Sequence, residues 1–178
     1  MKTRKIVLIS LCSALMFIFS QMTIPLPFTA VPLTMQVFGV ILISSLMPPS
    51  ISPASILIYL LLGAIGIPVF AGLSGGFTAL IGPNGGYLIG FLLMSIVTSI
   101  TATSKNKAIA FFGAYLGLAI DYIFGVLQLK IVTGMTLGAA LAAGLYPFII
   151  KDIMMTAVAV IIAAKVKSRI PERLLCRS

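Results

Sequence analysis

Residues 108–129 read AIAFFGAYLGLAIDYIFGVLQL and contain a single charged residue, Asp121. A helix needs about 20 mostly apolar residues to cross roughly 30 Å of bilayer hydrocarbon, so this stretch predicts a membrane-spanning helix. The whole chain is also strongly apolar, since 60% of its 178 residues are hydrophobic and 8% are charged. A soluble domain carries about 25% charged residues. A soluble fold of this size would expose large apolar patches, so the composition predicts an integral membrane protein.

Five further apolar segments flank this one. Pro25, Pro27 and Pro32 exclude a continuous helix after the first segment, and Pro48 and Pro49 end the second. We therefore predict an all-α protein in which residues 1–178 form one membrane-embedded domain with six helices in one bundle. Five or seven helices are alternatives, and the second and third segments are short for full spans. The predicted segments cover residues 6–22, 34–47, 53–67, 86–102, 108–129 and 147–164.

The first segment follows Lys2, Arg4 and Lys5, a pattern that is also typical of a secretory signal peptide. No clear small-residue cleavage site follows it. Leu11, directly before Cys12, is too bulky for a lipoprotein cleavage site. We therefore interpret the segment as a retained first helix, with a signal peptide as the alternative.

The net charge of +9 raises the possibility of nucleic-acid binding. However, there is no basic stripe interleaved with aromatic residues, so no nucleic-acid partner is expected. Short cytoplasmic loops retain Lys and Arg. With six spans, both termini and the 103–107 loop share one side, and the opposite loops carry no basic residue. We predict a multi-pass plasma-membrane protein with both termini cytoplasmic. The basic side holds Lys2, Arg4, Lys5, Lys105, Lys107, Lys165, Lys167, Arg169, Arg173 and Arg177.

The longest outer loop, residues 68–87, reads PVFAGLSGGFTALIGPNGGY; it is uncharged and rich in glycine. Such a loop, between the third and fourth helices, can fold over a cavity as a lid or merely join two helices. Its segment 82–86 lacks the Lys-Ser/Thr ending of a phosphate-binding loop. ATP hydrolysis by this chain is therefore not expected. The chain also has no His and three acidic residues, so we predict neither an enzyme nor a metal site.

Ionisable residues at membrane depth are costly and are therefore candidates for function. Asp121 lies inside the fifth segment, Lys130 closes it, and Lys151 and Asp152 lie near the outer start of the sixth. Alternatively, these charges pair with one another or extend to the interface. Asp152 lies beneath the glycine-rich outer loop and has few possible charged or hydrogen-bonding partners. We therefore prefer it as a ligand contact. Asp121 is a weaker candidate for function, because it can also serve helix packing or folding.

Four blocks of sequence occur in an order that resembles a known family. They are IPLPFTAVPLTMQ at 24–36, GIPVFAG at 66–72, GPNGGYLIGF at 82–91 and GLYPFIIKD at 144–152. Together they resemble the BioY family, the biotin-binding S components of energy-coupling-factor (ECF) transporters. The resemblance implies six helices, biotin as the ligand in a pocket near the outer surface, and no covalent cofactor. It also implies a transmembrane T component and two ATPase subunits as partners, with ATP used by those subunits.

Two positions depart from the family's pattern. Asn84 replaces the usual Thr of the Gly-Pro-Thr-Gly-Gly-Tyr signature, and Met155 replaces a Lys three residues after the sixth-helix Asp. Lys151 lies four residues before Met155, so both lie on one helix face about one turn apart. Either Lys151 supplies the displaced cation for the carboxylate of biotin, or that carboxylate reaches water or backbone donors.

The chemistry of biotin agrees with these residue types. Its ureido ring offers two N–H donors and one carbonyl acceptor; Asp152 can accept, and Asn84 can both donate and accept. Its rings and aliphatic chain need apolar walls. The candidates for walls are Phe28, Phe70, Phe77 and Tyr87, and weaker polar candidates are Gln36 and Tyr115, for which helix packing is an equal alternative.

A second predicted surface serves partner binding. Ser10 and Ala14 give the first helix a pair of small residues four apart, which allows close approach of another helix. The resemblance implies docking of the T component there, and internal packing is the alternative. For the chain as a whole, the alternatives are an S component for another vitamin and a self-sufficient secondary transporter. An intramembrane enzyme and a structural subunit have less support.

Overall fold

The structure is a computed structural model and describes residues 2–169. A β-ribbon pairs β1 (Thr23–Ile24) with β2 (Leu33–Thr34) in antiparallel register, and one 3-10 turn covers Ala71–Leu73. Arg173 and Arg177, which belong to the predicted basic side, lie outside the described residues. The helices within the described range are α1 (Lys2–Gln21), α2 (Gln36–Leu46), α3 (Ser52–Ala64), α4 (Phe77–Ile81), α5 (Gly85–Thr101), α6 (Lys107–Thr133), α7 (Leu137–Gly144) and α8 (Tyr146–Lys167).

Each of the six predicted segments overlaps one helix: α1, α2, α3, α5, α6 and α8. By length and composition, three described helices can cross a membrane, namely α1, α6 and α8. The apolar helices α2, α3 and α5 have 11, 13 and 17 residues. At 1.5 Å per residue, they extend about 16, 20 and 26 Å, which is less than the hydrocarbon thickness. The long apolar helices identify a membrane protein.

Two helices lie where the sequence predicted only loops. Helix α4 occupies the predicted outer loop between Gly76, which has a φ of 101°, and Gly82. Helix α7 follows Thr136, whose hydroxyl oxygen accepts a 3.3 Å hydrogen bond from the Ala139 N–H. Helices of five and eight residues complete too few turns to produce a periodic pattern in a uniformly apolar sequence. The predicted all-loop connections are therefore corrected to loops that contain short helices.

Helix α6 packs along α5, α8 packs along α2, and α1 packs along α3. The α5–α6 contact depends on small residues because the two backbones lie close together. A methyl group added at Gly90 would collide with the carboxyl group of Asp121, and one added at Gly125 would collide with the ring of Tyr87. These two glycines are therefore among the residues that allow the close approach of α5 to α6.

Large apolar side chains cover the outside of the bundle. Ile131 is 77% exposed, Ile150 is 72% exposed and Phe112 is 70% exposed. In water this much exposed apolar surface would drive aggregation, whereas lipid chains solvate it without penalty. The exposed surface therefore agrees with a bilayer as the solvent.

The two ends of the bundle differ in charge. One end holds the starts of α1 and α6 and the ends of α5 and α8, and the Lys167 ammonium donates a 3.2 Å hydrogen bond to the carbonyl of Ala102 there. The opposite end holds the starts of α2, α5 and α8, together with the β-ribbon and α4. The described basic residues at the first end are Arg4, Lys5, Lys105, Lys107, Lys165, Lys167 and Arg169.

Candidate ligand-binding cavity

A cavity of about 350 Å³ opens at the end of the bundle opposite the basic residues. Cavities that bind small molecules usually measure roughly 300–1,000 Å³ and combine apolar walls with a few polar groups. Five parts of the chain build the wall: residues 31–36 around β2, the 70–91 segment, α6, the end of α7 and the start of α8. Its polar side chains belong to Thr34, Gln36, Ser74, Thr78, Asn84, Tyr87, Tyr122, Lys151 and Asp152.

Asp152 lies in the first half of α8, with 3% of its surface exposed. Its Oδ2 accepts a 2.7 Å hydrogen bond from the hydroxyl of Tyr122, and its Oδ1 lies 2.8 Å from the ammonium nitrogen of Lys151. The sequence suggested few partners for this carboxylate, and the structure corrects that expectation. The two contacts hold the carboxylate at the cavity wall, since a buried charge is stable only when it is paired and hydrogen-bonded.

Lys151 connects two parts of the wall, α8 and β2. Its ammonium group donates a hydrogen bond to the carbonyl of Thr34 in β2 and pairs with Asp152. The side chain of Lys151 is 20% exposed, whereas that of Asp152 is 4% exposed. Lys151 therefore neutralises Asp152 and ties α8 to the proline-rich stretch before α2.

Asn84 and Tyr87 lie at the start of α5, where the glycine-rich segment ends. The Asn84 side-chain N–H₂ donates to the carbonyl of Ala30 at 3.0 Å, while its buried Oδ1 has no hydrogen-bond partner. The Tyr87 hydroxyl donates to the carbonyl of Gly144 at 2.8 Å. Asn84 thus keeps an unused acceptor at the cavity, although the sequence suggested that it could also donate there.

Aromatic rings form much of the apolar wall. Phe70 is 2% exposed and packs edge-on against Tyr59, with ring centroids 5.5 Å apart. The Gln36 side-chain N–H₂ donates to the Tyr59 hydroxyl at 2.8 Å, so Gln36 lines the cavity and also braces its wall. Both predicted contacts, Phe70 and Gln36, therefore lie in the cavity lining.

Two predicted wall residues lie outside the cavity lining. Phe77 is 65% exposed and Phe28 is 66% exposed. Helix α4 places Thr78 and Ala79 in the cavity wall, and this orientation turns Phe77 outward. The sequence did not predict α4. It therefore could not indicate whether the side chain of Phe77 faces the cavity or the outside of the bundle.

Three aromatic residues of the wall were not predicted from the sequence: Phe91, Tyr122 and Phe148. Phe148 lies four residues before Asp152, and Phe91 lies four residues after Tyr87. Residues four apart share a helix face, so the helical period was a usable signal for both. Tyr122 offered no such signal, because its contact with Asp152 joins two different helices.

Two other ionisable residues lie outside the lining. Asp121 is 1% exposed, and neither of its carboxyl oxygens has a hydrogen-bond partner among the described residues. It lies against Gly90 of α5, which places it in a helix–helix contact. Lys130 is exposed in the last turn of α6.

Tyr115, a weaker polar candidate, also lies outside the cavity lining. It lies on the outside of the bundle, where its hydroxyl donates to the carbonyl of Ile153 at 3.0 Å.

Ser10 and Ala14 are exposed on α1. The opposite face of the helix packs inward through Cys12, Ser13 and Met16, and the Ser13 hydroxyl donates to the carbonyl of Ser55 at 2.7 Å. The small residues therefore do not serve internal packing, which was one of the two interpretations of their spacing.

Comparisons with known proteins agree along nearly the whole chain. The BioY family model matches residues 1–172. The probable biotin transporter BioY of Pyrococcus horikoshii is 40% identical over 94% of this chain and 98% of its own length. The biotin transporter BioY of Thermotoga maritima is 35% identical over 96% of this chain and 99% of its own length.

A solved structure has the same fold. It is the crystal structure of the S component for biotin from an ECF-type ABC transporter. It superposes with a TM-score of 0.87 and 26% sequence identity, over 99% of this chain and 97% of that one. Since the family model and the relatives cover nearly the full length, this chain belongs to the BioY family.

Proposed function

We propose that this chain captures biotin at the outer membrane face and delivers it to the cell as the S component of an ECF transporter. The observation that carries the proposal is the paired Asp152 carboxylate, held in the wall of a mostly apolar cavity at the end opposite the basic residues. The relatives named as biotin transporters and the biotin S component of the same fold support biotin as the ligand.

The cavity provides acceptors for the two ureido N–H groups of biotin and an apolar wall for its rings. The Asp152 carboxylate accepts from a ureido N–H, and the unused Oδ1 of Asn84 accepts from the second. The aromatic wall of Phe70, Phe91 and Phe148 packs against the bicyclic ring and the aliphatic chain. Gln36 and Tyr87 also line the cavity and add polar side chains to its wall.

The basic end of the bundle sets the orientation. Lys and Arg are retained on the cytoplasmic side, so α1 begins and α8 ends in the cytoplasm and the cavity opens outward. This orientation requires six spans, with α2, α3 and α5 extended by their flanking turns. The membrane is the plasma membrane, since the substrate enters from outside the cell.

Energy for uptake comes from partner subunits. The resemblance to the BioY family implies that two ATPase subunits turn over ATP and act through a transmembrane T component. In agreement with this assignment, residues 82–86 lack the Lys-Ser/Thr ending of a phosphate-binding loop. The exposed small residues Ser10 and Ala14 on α1 provide the T component with a surface for close helix contact.

A binding screen tests the proposal. The purified chain is titrated in detergent with biotin, riboflavin and thiamine by isothermal titration calorimetry. We expect binding of biotin alone. Binding of riboflavin or thiamine instead would show an S component for another vitamin. Uptake of biotin by vesicles that contain this chain alone would show a self-sufficient transporter.

A further inference from the structure

The cavity carries no spare positive charge. Among the described residues that line it, Lys151 and Asp152 are the charged ones, and their side chains lie 2.8 Å apart. The Lys151 ammonium also donates to the carbonyl of Thr34. The pair is therefore neutral, and Asp152 Oδ1, which makes no hydrogen bond to a described residue, has Lys151 as its counter-ion.

No other described cation takes the place of Lys151 in the lining. Position 155 is Met155, and Lys130 is exposed at the end of α6, away from the cavity wall. Burying a carboxylate without a cation or several donors costs several kcal/mol, roughly speaking, so an anionic group gains nothing by entering this cavity.

The cavity has an open side where an anionic group can remain hydrated. Ser74 and Thr78 line the cavity and are exposed, so the wall reaches water at the 3-10 turn and α4. A ligand whose uncharged end contacts Asp152 and Asn84 can keep its charged end in this water. Hydration there takes the place of a second cation, since the Lys151 ammonium is already paired with Asp152.

We propose, on the basis of the proposed function, that the cavity recognises the uncharged ring end of biotin and leaves the carboxylate in water. The ligand class then includes biotin compounds whose carboxyl group is a neutral amide or ester. Lys151 serves as the counter-ion of Asp152 and does not bind the ligand carboxylate.

The test compares biotin with its primary amide by calorimetry on the purified chain. We expect dissociation constants within about threefold of each other. We also expect little change in biotin affinity between low and high salt, because the cavity lining carries no net charge that attracts the anion. An amide that binds more than about threefold weaker than biotin would overturn the inference.

The variant Lys151→Met separates the two roles of the lysine. If Lys151 is the counter-ion of Asp152, the variant weakens biotin and the amide by the same factor. If Lys151 binds the ligand carboxylate, the variant weakens biotin more than the amide, and the inference is wrong. If the variant does not fold, the comparison on the unmodified chain decides by itself.

The outcomes for the two proposals are distinct. Failure of both compounds to bind would contradict the proposed function. Binding of biotin with loss of the amide would contradict the ligand class alone and leave biotin capture intact.

Discussion

The Tyr122 hydroxyl donates a 2.7 Å hydrogen bond to Oδ2 of Asp152 and thereby joins α6 to α8 at the cavity wall. Tyr122 also packs edge-on against Tyr87 of α5, with ring centroids 6.5 Å apart. The residue therefore fixes the direction of the carboxylate relative to three helices. Its role is to position Asp152.

Tyr122→Phe should weaken biotin binding by about three- to tenfold, because a hydrogen bond to a charged group contributes about 1.5–3 kcal/mol and part of this positions Asp152. Tyr115→Phe is the matched control, since the Tyr115 hydroxyl bonds the Ile153 carbonyl on the outside of the bundle. Calorimetry measures both. Equal affinities for the two variants would show that Tyr122 does not position the carboxylate.

Phe148→Ala should reduce biotin affinity by on the order of tenfold, because the variant removes apolar wall against the ligand. Phe148 is 4% exposed and lines the cavity, whereas Phe77 is 65% exposed and does not. The same change at Phe77 should leave affinity unchanged. A larger loss of biotin affinity for Phe77→Ala than for Phe148→Ala would show that Phe77, and not Phe148, contacts the ligand.

Gly90→Ala should destabilise the protein by about 1–3 kcal/mol, because the new methyl group collides with Asp121 at the α5–α6 contact. Gly138→Ala is the control, since a methyl group there meets no atom within 4 Å. It should be neutral or slightly stabilising, because Ala favours helix over Gly. Thermal unfolding in detergent measures both. Unchanged unfolding of Gly90→Ala would contradict the described α5–α6 packing.

Replacing both Ser10 and Ala14 by Phe should abolish co-purification with a T component while biotin binding persists, because the small surface on α1 is exposed and distant from the cavity. The control is the pair Ser10→Ala and Ala14→Ser, which keeps both side chains small. Recovery of an intact complex with the Phe variant would remove this surface as the docking site.

The sequence predicted the six apolar segments that overlap α1, α2, α3, α5, α6 and α8, and it predicted Asp152 near the start of the last one, because both depend on local information. Apolar segments broken by proline and charge are visible along the chain, and Asp152 is a rare charge among them. The Lys151–Asp152–Tyr122 contacts were not predicted, because they depend on how α6 and α8 face each other. Phe77 was misplaced because a rotation of one short helix decides its side. The identity of the ligand came from the resemblance, since composition does not distinguish one vitamin from another.

The most direct test of the account is the titration of biotin into the unmodified chain and into Asp152→Ala. A charge-assisted hydrogen bond contributes about 1.5–3 kcal/mol, so the account predicts on the order of 10–100-fold weaker binding by a variant that still folds. Asp121→Ala, which removes a buried carboxyl group outside the cavity lining, should retain affinity. Equal biotin affinity for Asp152→Ala and the unmodified chain would contradict capture of the vitamin at this carboxylate.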